Sequence, residues 1–241
     1  MPNTYFQFKQ FKVHQEKCAI KVCTDTCVFG AWIIDNIENE KSKMKNVLDI
    51  GTGTGLLSLM LAQKLNSKFD AVEIDEQAAL QAKENFEESL WSKRLFVFNT
   101  PIQQYISANS YDLIISNPPF FNQSLKSDNN QKNLAKHSCS LSFIELIDVV
   151  LKFLKPEGRF AILLPFTEFK RFEIIAKEKQ LYLLQKADIQ QTPSHSFFRT
   201  TGVFSKQILS QPINEAINIK DDSNQYTPRF INLLKDYYLH L

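Results

Sequence analysis

Six consecutive residues, Ser116-Asn117-Pro118-Pro119-Phe120-Phe121, carry the groups in this chain best suited to chemistry. They follow the run Tyr111-Asp112-Leu113-Ile114-Ile115, whose apolar pattern predicts a strand buried on both faces. Neither proline has an N–H to donate and each fixes φ, so strand pairing stops there and the backbone stays stiff just past the strand's C-terminal end. Asn117 offers a side-chain oxygen, with the Asn117 and Pro118 carbonyls beside it as further acceptors. Phe120 and Phe121 add flat apolar faces. The set suits an amino group on an aromatic ring, its two N–H donors held by oxygens and its ring stacked on Phe120. A plain proline turn with Asn as turn former accounts for the same residues without chemistry.

A second group lies upstream, in Asp49-Ile50-Gly51-Thr52-Gly53-Thr54-Gly55. Glycines let the backbone turn sharply and let a ligand approach with no Cβ in the way. A helix that starts after them offers unpaired N–H groups. Glu73 comes eighteen residues after Gly55, at the end of the next apolar run, where a carboxylate can accept both hydroxyls of a ribose. The spacing G-x-G-x-G differs from the G-x-G-x-x-G preferred by a dinucleotide pyrophosphate. Asp49 is also ill placed beside a phosphate and better placed beside a cation. S-adenosylmethionine fits these demands, with an ammonium, a sulfonium, a ribose and no phosphate. A structural glycine turn is the alternative for the loop alone.

The elements that must hold these groups alternate along the chain. Apolar runs at 47–50, 69–74, 95–98, 111–115, 159–164, 181–187 and 200–209 read as seven strands. Helical patterns fall at 56–65, 76–89, 141–154 and 166–179, with a short one at 229–239. This order predicts an α/β fold with a seven-stranded, mostly parallel sheet covered by helices on both faces. Residues 1–45 form an expected N-terminal extension to a domain at 46–241. It holds a short strand or hairpin around Phe6-Gln7-Phe8-Lys9 and a helix whose start is marked by Thr24 and Asp25 as capping residues. The stretch 122–136 is polar and reads as a long loop, either a lid or a plain surface excursion.

The 241 residues suit one α/β domain, and 44% hydrophobic content is ordinary for a globular chain. No apolar run is long enough to cross a bilayer, and Met1 to Tyr5 lack the layout of a signal peptide, so a cytoplasmic protein is expected. Cys18, Cys23, Cys27 and Cys139 have no zinc-knuckle spacing, so reduced thiols and no metal are expected. Net charge is only +2, but residues 120–210 hold 13 Lys and Arg against 8 Asp and Glu. That excess follows the Asn-Pro-Pro segment and suits a polyanion on that face, or ordinary solvated surface.

Taken together, these segments resemble a class I S-adenosylmethionine-dependent methyltransferase of Rossmann-like fold over about residues 46–209, and its Asn-Pro-Pro-Phe/Tyr enzymes act on planar nitrogens. Thr24-Asp25 with Phe29-Gly30-Ala31-Trp32, Ser116 to Phe121, and Ala135-Lys136-His137 with Leu141 are similar to segments of the tRNA1(Val) adenine-37 N6-methyltransferase family. The resemblance implies S-adenosylmethionine as cofactor and tRNA as substrate, with no membrane partner. It implies that Asp49, Gly51, Gly53 and Gly55 line the cofactor, that Glu73 holds its ribose, and that Thr24 and Asp25 lie near its methionine end. Asn117, Pro118 and Phe120 become catalytic residues, Asn117 touching the cofactor as well. Pro119, Phe121, Lys136 and His137 fall on the substrate side. The chain departs from the family where an acidic residue usually reads the cofactor adenine. Pro101 stands there, which leaves the Ile102 N–H, Asn99 or Gln103 for that task. Lys136 replaces a usual Arg and loses its planar fork. His137 has a positional role, a phosphate contact or a place in the core, as against that of a base, while His195, Trp32 and Trp91 read as loop and core residues. A monomer is expected. The rival readings are a protein-glutamine N5 or rRNA guanine-N2 methyltransferase, and a cofactor-binding assembly partner without catalysis.

Overall fold

The computed structural model describes residues 3–119, 141–208 and 211–241. A small antiparallel hairpin opens it, β1 (Tyr5–Gln7) with β2 (Lys12–His14). Helix α1 (Thr24–Asn36) follows, then a 3-10 turn at Glu38–Lys43. The alternating part then runs β3 (Asn46–Ile50), α2 (Leu56–Ala62), β4 (Lys68–Glu73), α3 (Glu76–Glu87), β5 (Leu95–Asn99) and β6 (Tyr111–Ser116). After the gap come α4 (Phe143–Phe153), β7 (Leu154–Pro165), α5 (Phe166–Glu178), β8 (Tyr182–Gln190), β9 (Arg199–Ser205), β10 (Ile213–Asn218) and α6 (Pro228–Leu234).

The strands form one sheet in the order β10-β8-β9-β7-β6-β3-β4-β5. All neighbours are parallel except β9, which runs antiparallel to both β7 and β8. From β3 the chain winds outward to β5, then returns to place β6 on the other side of β3. The order therefore reverses between β3 and β6, and ligands of open α/β sheets bind outside the strand C-termini at such a reversal.

The sheet has eight strands, one more than the sequence predicts. The extra strand is β10, parallel to β8 at the edge. Only Ile217 in it is fully buried, so Ile213-Asn-Glu-Ala-Ile-Asn carries too little apolar alternation to announce a strand. It is held from the side instead, where Glu215 accepts from the Trp32 indole N–H and pairs with Arg229 at 3.1 Å. A second correction concerns α1. Its N-cap is Cys23, with no side-chain cap, and Asp25 accepts from the Thr26 N–H instead of opening the helix. The other starts follow rule: Asp75 caps α3 through the Ala78 N–H, and Ser142 and Glu145 form a reciprocal capping box on α4.

Period-two alternation sorts the strands onto two cores. Leu113, Ile115, Ala161 and Leu163 join α1, α2 and α6 on one face, while Ile114, Phe160, Ile162 and Leu164 meet α4 and α5 on the other. Trp32 is buried in the first core, and Trp91 packs against it partly exposed.

Arg94, in the turn before β5, fastens α2 to the strand after it. Its guanidinium donates to the carbonyls of Ala62 at 2.5 Å, Leu65 at 2.6 Å and Ser67 at 3.0 Å, which satisfies acceptors the helix end leaves unpaired. Arg94→Ala should therefore lower stability by about 2–4 kcal/mol in urea unfolding. Arg94→Lys should recover less than half of that, since one ammonium cannot span the three carbonyls.

Candidate active site

The end of β3 passes directly into the glycine loop. Gly51, Gly53 and Gly55 have φ of 72°, 56° and 81°, a region that side chains with a Cβ rarely adopt. The Gly51 and Thr52 N–H groups donate to the Val72 carbonyl at 2.8 and 3.2 Å, so the loop leans on the end of β4. A Cβ at Gly51 or Gly53 would meet nothing within 4 Å, whereas one at Gly55 would stand 2.5 Å from the Phe86 ring. The first two glycines thus border open space, and the third lets α2 pack on α3.

Asp49 sits beneath this loop, fully buried in β3. Its Oδ2 accepts from the Thr52 and Ser58 hydroxyls, both at 2.7 Å, while its Oδ1 has no partner among the described residues. Burial pushes its pKa up to about 6, the two hydroxyls opposing and the Glu73 charge adding to the rise. Glu73 closes β4, its Oε2 accepting from the Gly53 N–H at 2.8 Å and its Oε1 from the Asp75 N–H at 3.0 Å. Each oxygen keeps a further lone pair for a hydroxyl donor. These features fit S-adenosylmethionine: an orphaned carboxylate oxygen for a cation, a floor without Cβ atoms, and a braced carboxylate for a ribose.

The three candidates for the cofactor adenine stand at or just past the end of β5. The Asn99 amide nitrogen donates to the Glu73 and Ile74 carbonyls at 3.0 and 3.2 Å, and the Gln103 side chain bonds Glu145. The Ile102 N–H, first in its 3-10 turn after Pro101, has no backbone acceptor among the described residues. Ile74, beside Glu73, leaves 53% of its surface exposed there.

Across the reversal, β6 ends at Ser116, whose hydroxyl donates to the Ile50 carbonyl at 2.9 Å. Asn117 follows, half-buried, with Pro118 half-buried and Pro119 exposed. The Asn117 Nδ2 donates to the Thr26 hydroxyl at 3.0 Å, which leaves Oδ1 as the group free to accept. Thr26 is fixed in turn, its N–H on Asp25 Oδ1 at 2.9 Å, while Asp25 Oδ2 accepts from Arg199 Nε at 2.8 Å. The site so gathers Asp25, Asp49, Gly51, Gly53, Glu73, Ile102, Asn117 and Pro118 at one edge of the sheet. Thr24 is exposed at the start of α1. Phe120, Phe121, Lys136 and His137, the 122–136 loop and Cys139 lie outside the described residues.

Sequence reasoning passed over Thr26, Thr52, Ser58 and Arg199. Thr52 and Ser58 follow Asp49 at three and nine residues, a local signal for a buried carboxylate that needs donors. Arg199 gave none, being 174 residues from Asp25. A separate cavity of about 370 Å³, lined by Met44, Asp112, Lys155 and Arg159 among others, opens at the opposite edge of the strands, away from all these groups.

The Asp49 carboxyl has a folded pKa raised from 3.8 to about 6, so the folded protein without ligand holds the extra proton between those values. Its stability should fall as pH rises from about 4 to about 6 and stay level above. A cationic ligand needs the ionised form, so calorimetric titration should show S-adenosylmethionine affinity rising about tenfold per pH unit up to about pH 6, then flat. In Asp49→Asn that slope should vanish. Gly55→Ala should destabilise by more than Gly51→Ala in the same unfolding assay, since only the former meets Phe86.

The profile of the "Methyltransferase small domain" family matches residues 19–185. A protein of Dyadobacter fermentans named tRNA1(Val) (adenine(37)-N6)-methyltransferase is 41% identical over 241 residues, covering 98% of each chain. Proteins of the same name from Parabacteroides distasonis and Trichodesmium erythraeum are 37% and 39% identical, covering 100% and 99% of both chains respectively. Among solved structures, an O-methyltransferase from Agrobacterium tumefaciens described as predicted superposes with a TM-score of 0.66 at 14% identity, over 88% of this chain and 96% of that one. The catalytic domain of human METTL16 in complex with a MAT2A 3'UTR hairpin gives 0.57 at 20% identity, over 81% and 75%. These two likenesses show the fold alone.

Proposed function

The chain belongs to the tRNA1(Val) (adenine(37)-N6)-methyltransferase family, and we propose that its Asn117-Pro118 corner is where the exocyclic amine of adenine 37 of tRNA1(Val) is held for methylation. The protein is an S-adenosylmethionine-dependent tRNA adenine-N6 methyltransferase. The cofactor supplies an electrophilic methyl group on a sulfonium. Asp49, Gly51, Gly53 and Glu73 would hold it, the Ile102 N–H would serve its adenine, Gly55 packs the loop, and Thr24 and Asp25 would serve its methionine end.

The exocyclic nitrogen of adenine is a poor nucleophile because its lone pair is delocalised into the ring. The Asn117 side-chain oxygen and the Pro118 carbonyl accept its two hydrogens and draw it towards tetrahedral geometry. The lone pair is then localised and aimed by the site. Orientation and fixed dipoles carry most of the gain, and no strong base is required. The observation that supports this most is the Asn117 Nδ2 bond to Thr26, which commits Oδ1 to accepting. Phe120 stacks on the base, worth about 1–3 kcal/mol, and Phe121 and Pro119 complete the wall. Lys136 contacts a phosphate and His137 positions the segment; the roles of these four residues beyond Pro119 rest on the family resemblance. The target base must leave its loop stack to enter, and tRNA loops splay bases out.

Residues 1–45 act in this reading as an extension of the domain at 46–241, contributing Thr24, Asp25 and Thr26. The enzyme works as a cytoplasmic monomer without a metal. No helix among the described residues is long and apolar enough to cross a membrane.

Labelled S-adenosylmethionine with unmodified total tRNA, followed by nucleoside analysis, should give N6-methyladenosine. N2-methylguanosine, or label in protein alone, overturns the substrate assignment. Asn117→Ala should lower transfer by about a thousandfold or more with cofactor affinity kept. Thr26→Val should lower the maximal rate by about tenfold and Thr26→Ser should restore it, because only the hydroxyl orients the amide.

A further inference from the structure

We propose that the turn between β8 and β9, together with the first turn of α5, is a stacking platform for a nucleotide next to the target base. The proposal rests on the reading of this edge as the site of RNA methylation and adds the surface that grips the RNA. In the sheet, Pro165 at the end of β7 stands opposite Arg199 at the start of β9, and Ile189 near the end of β8 stands opposite the same Arg199. β7 is the neighbour of β6, so this turn rises from the edge that bears Asn117. Adjacent strands are about 4.8 Å apart, which puts the turn within one or two nucleotides of the acceptor oxygens.

The turn carries Phe197 and Phe198 in succession. Phe197 packs on Phe166, ring centroids 5.5 Å apart. Phe198 does the opposite, leaving 38% of its surface in solvent. Its backbone is pinned on both sides. The Phe198 N–H donates to the Ile189 carbonyl at 3.0 Å, and its own carbonyl accepts from the Phe166 N–H at 3.2 Å. Single exposed apolar residues are common and need no explanation. Here the exposed residue is clamped at both backbone ends, bonded to the Phe166 backbone and next in sequence to Phe197 and Arg199, in a turn whose Phe166–Phe197 ring pair carries Lys170.

Those cations have the reach for phosphates. Lys170 lies over the Phe166 ring at 5.4 Å from its centroid, and its side chain is exposed. Arg199 ties the turn to Asp25 and so to the Thr26 that orients Asn117. Glu168 is the carboxylate on the same helical turn, half-buried. Flat rings for bases beside positive groups for the backbone make a surface for single-stranded nucleic acid, where each stacked base contributes without regard to its identity. A structured RNA whose target base has been splayed out exposes such neighbours.

The test measures binding of an unmodified tRNA1(Val) transcript by fluorescence anisotropy at several salt concentrations, with steady-state kinetics alongside. Phe198→Ala should raise the Kd and KM for RNA about tenfold, with kcat within about twofold, and cofactor affinity unchanged. Phe198→Trp should restore both. Lys170→Ala should flatten the dependence of log Kd on log salt by about one unit. RNA affinity equal to wild type in Phe198→Ala overturns the platform, whatever Lys170→Ala does. Should Phe198→Ala not fold, Phe198→Leu decides in its place, since it keeps apolar bulk without a flat face. A wild-type protein that binds the transcript through Phe198 but transfers no methyl group would sink the activity reading and leave the platform standing.

Discussion

The bond from the Ser116 hydroxyl to the Ile50 carbonyl joins the two strand ends on which everything else hangs. One strand delivers the glycine loop and the other delivers Asn117. Each would be a common feature of α/β proteins alone, and only their fixed spacing makes a two-ligand site. Parallel pairing sets that spacing to about 4.8 Å between strands, and the register, Ile50 opposite Ser116, sets it along them. The buried hydroxyl then holds the ends where ladder bonds run out. A site built on strand ends in this way inherits the rigidity of the sheet.

Two carboxylates lie close together at the donor side, and they are held by different means. Glu73 is braced by two backbone N–H groups, one on each oxygen. Asp49 leans on the Thr52 and Ser58 hydroxyls through Oδ2, while its Oδ1 has no partner among the described residues, and burial makes its charge costly. The contrast suits the proposed roles, a neutral sugar at the first and a charged amino acid end at the second.

Much of this was legible in the sequence because parallel strands are buried on both faces. Runs such as Val47 to Ile50 and Leu113 to Ile115 could hardly be surface, and the glycines between strand and helix marked the turn. The missing strand had no such signal, since an edge strand with one buried residue is written mostly in polar letters. The helix at Thr24 was recognised, but its cap was not, because Asp25 spends one oxygen on Arg199 rather than on the helix start. Thr26 could not be found from one dimension either. Its partner is 91 residues away, and a threonine in a first helical turn is ordinary until the fold brings an amide to it. The bonds of Asn99 were equally hidden: its amide nitrogen donates to two carbonyls that only the strand ends place within reach, which leaves its Oδ1 to accept.

The reversed strand β9 has a consequence for how such enzymes can diverge. A parallel strand in its position would need a long crossover returning to the far edge. By doubling back, the chain puts the eight residues between Gln190 and Arg199 at the rim of the methylation site, outside the ladder at both ends. Insertions or trims between Thr192 and Phe197 leave the strand pairing untouched, since Gln191 and Phe198 are the residues of the hairpin whose backbone bonds reach the rest of the fold. Recognition of the nucleic acid can therefore drift from one lineage to another while the reaction itself is inherited intact.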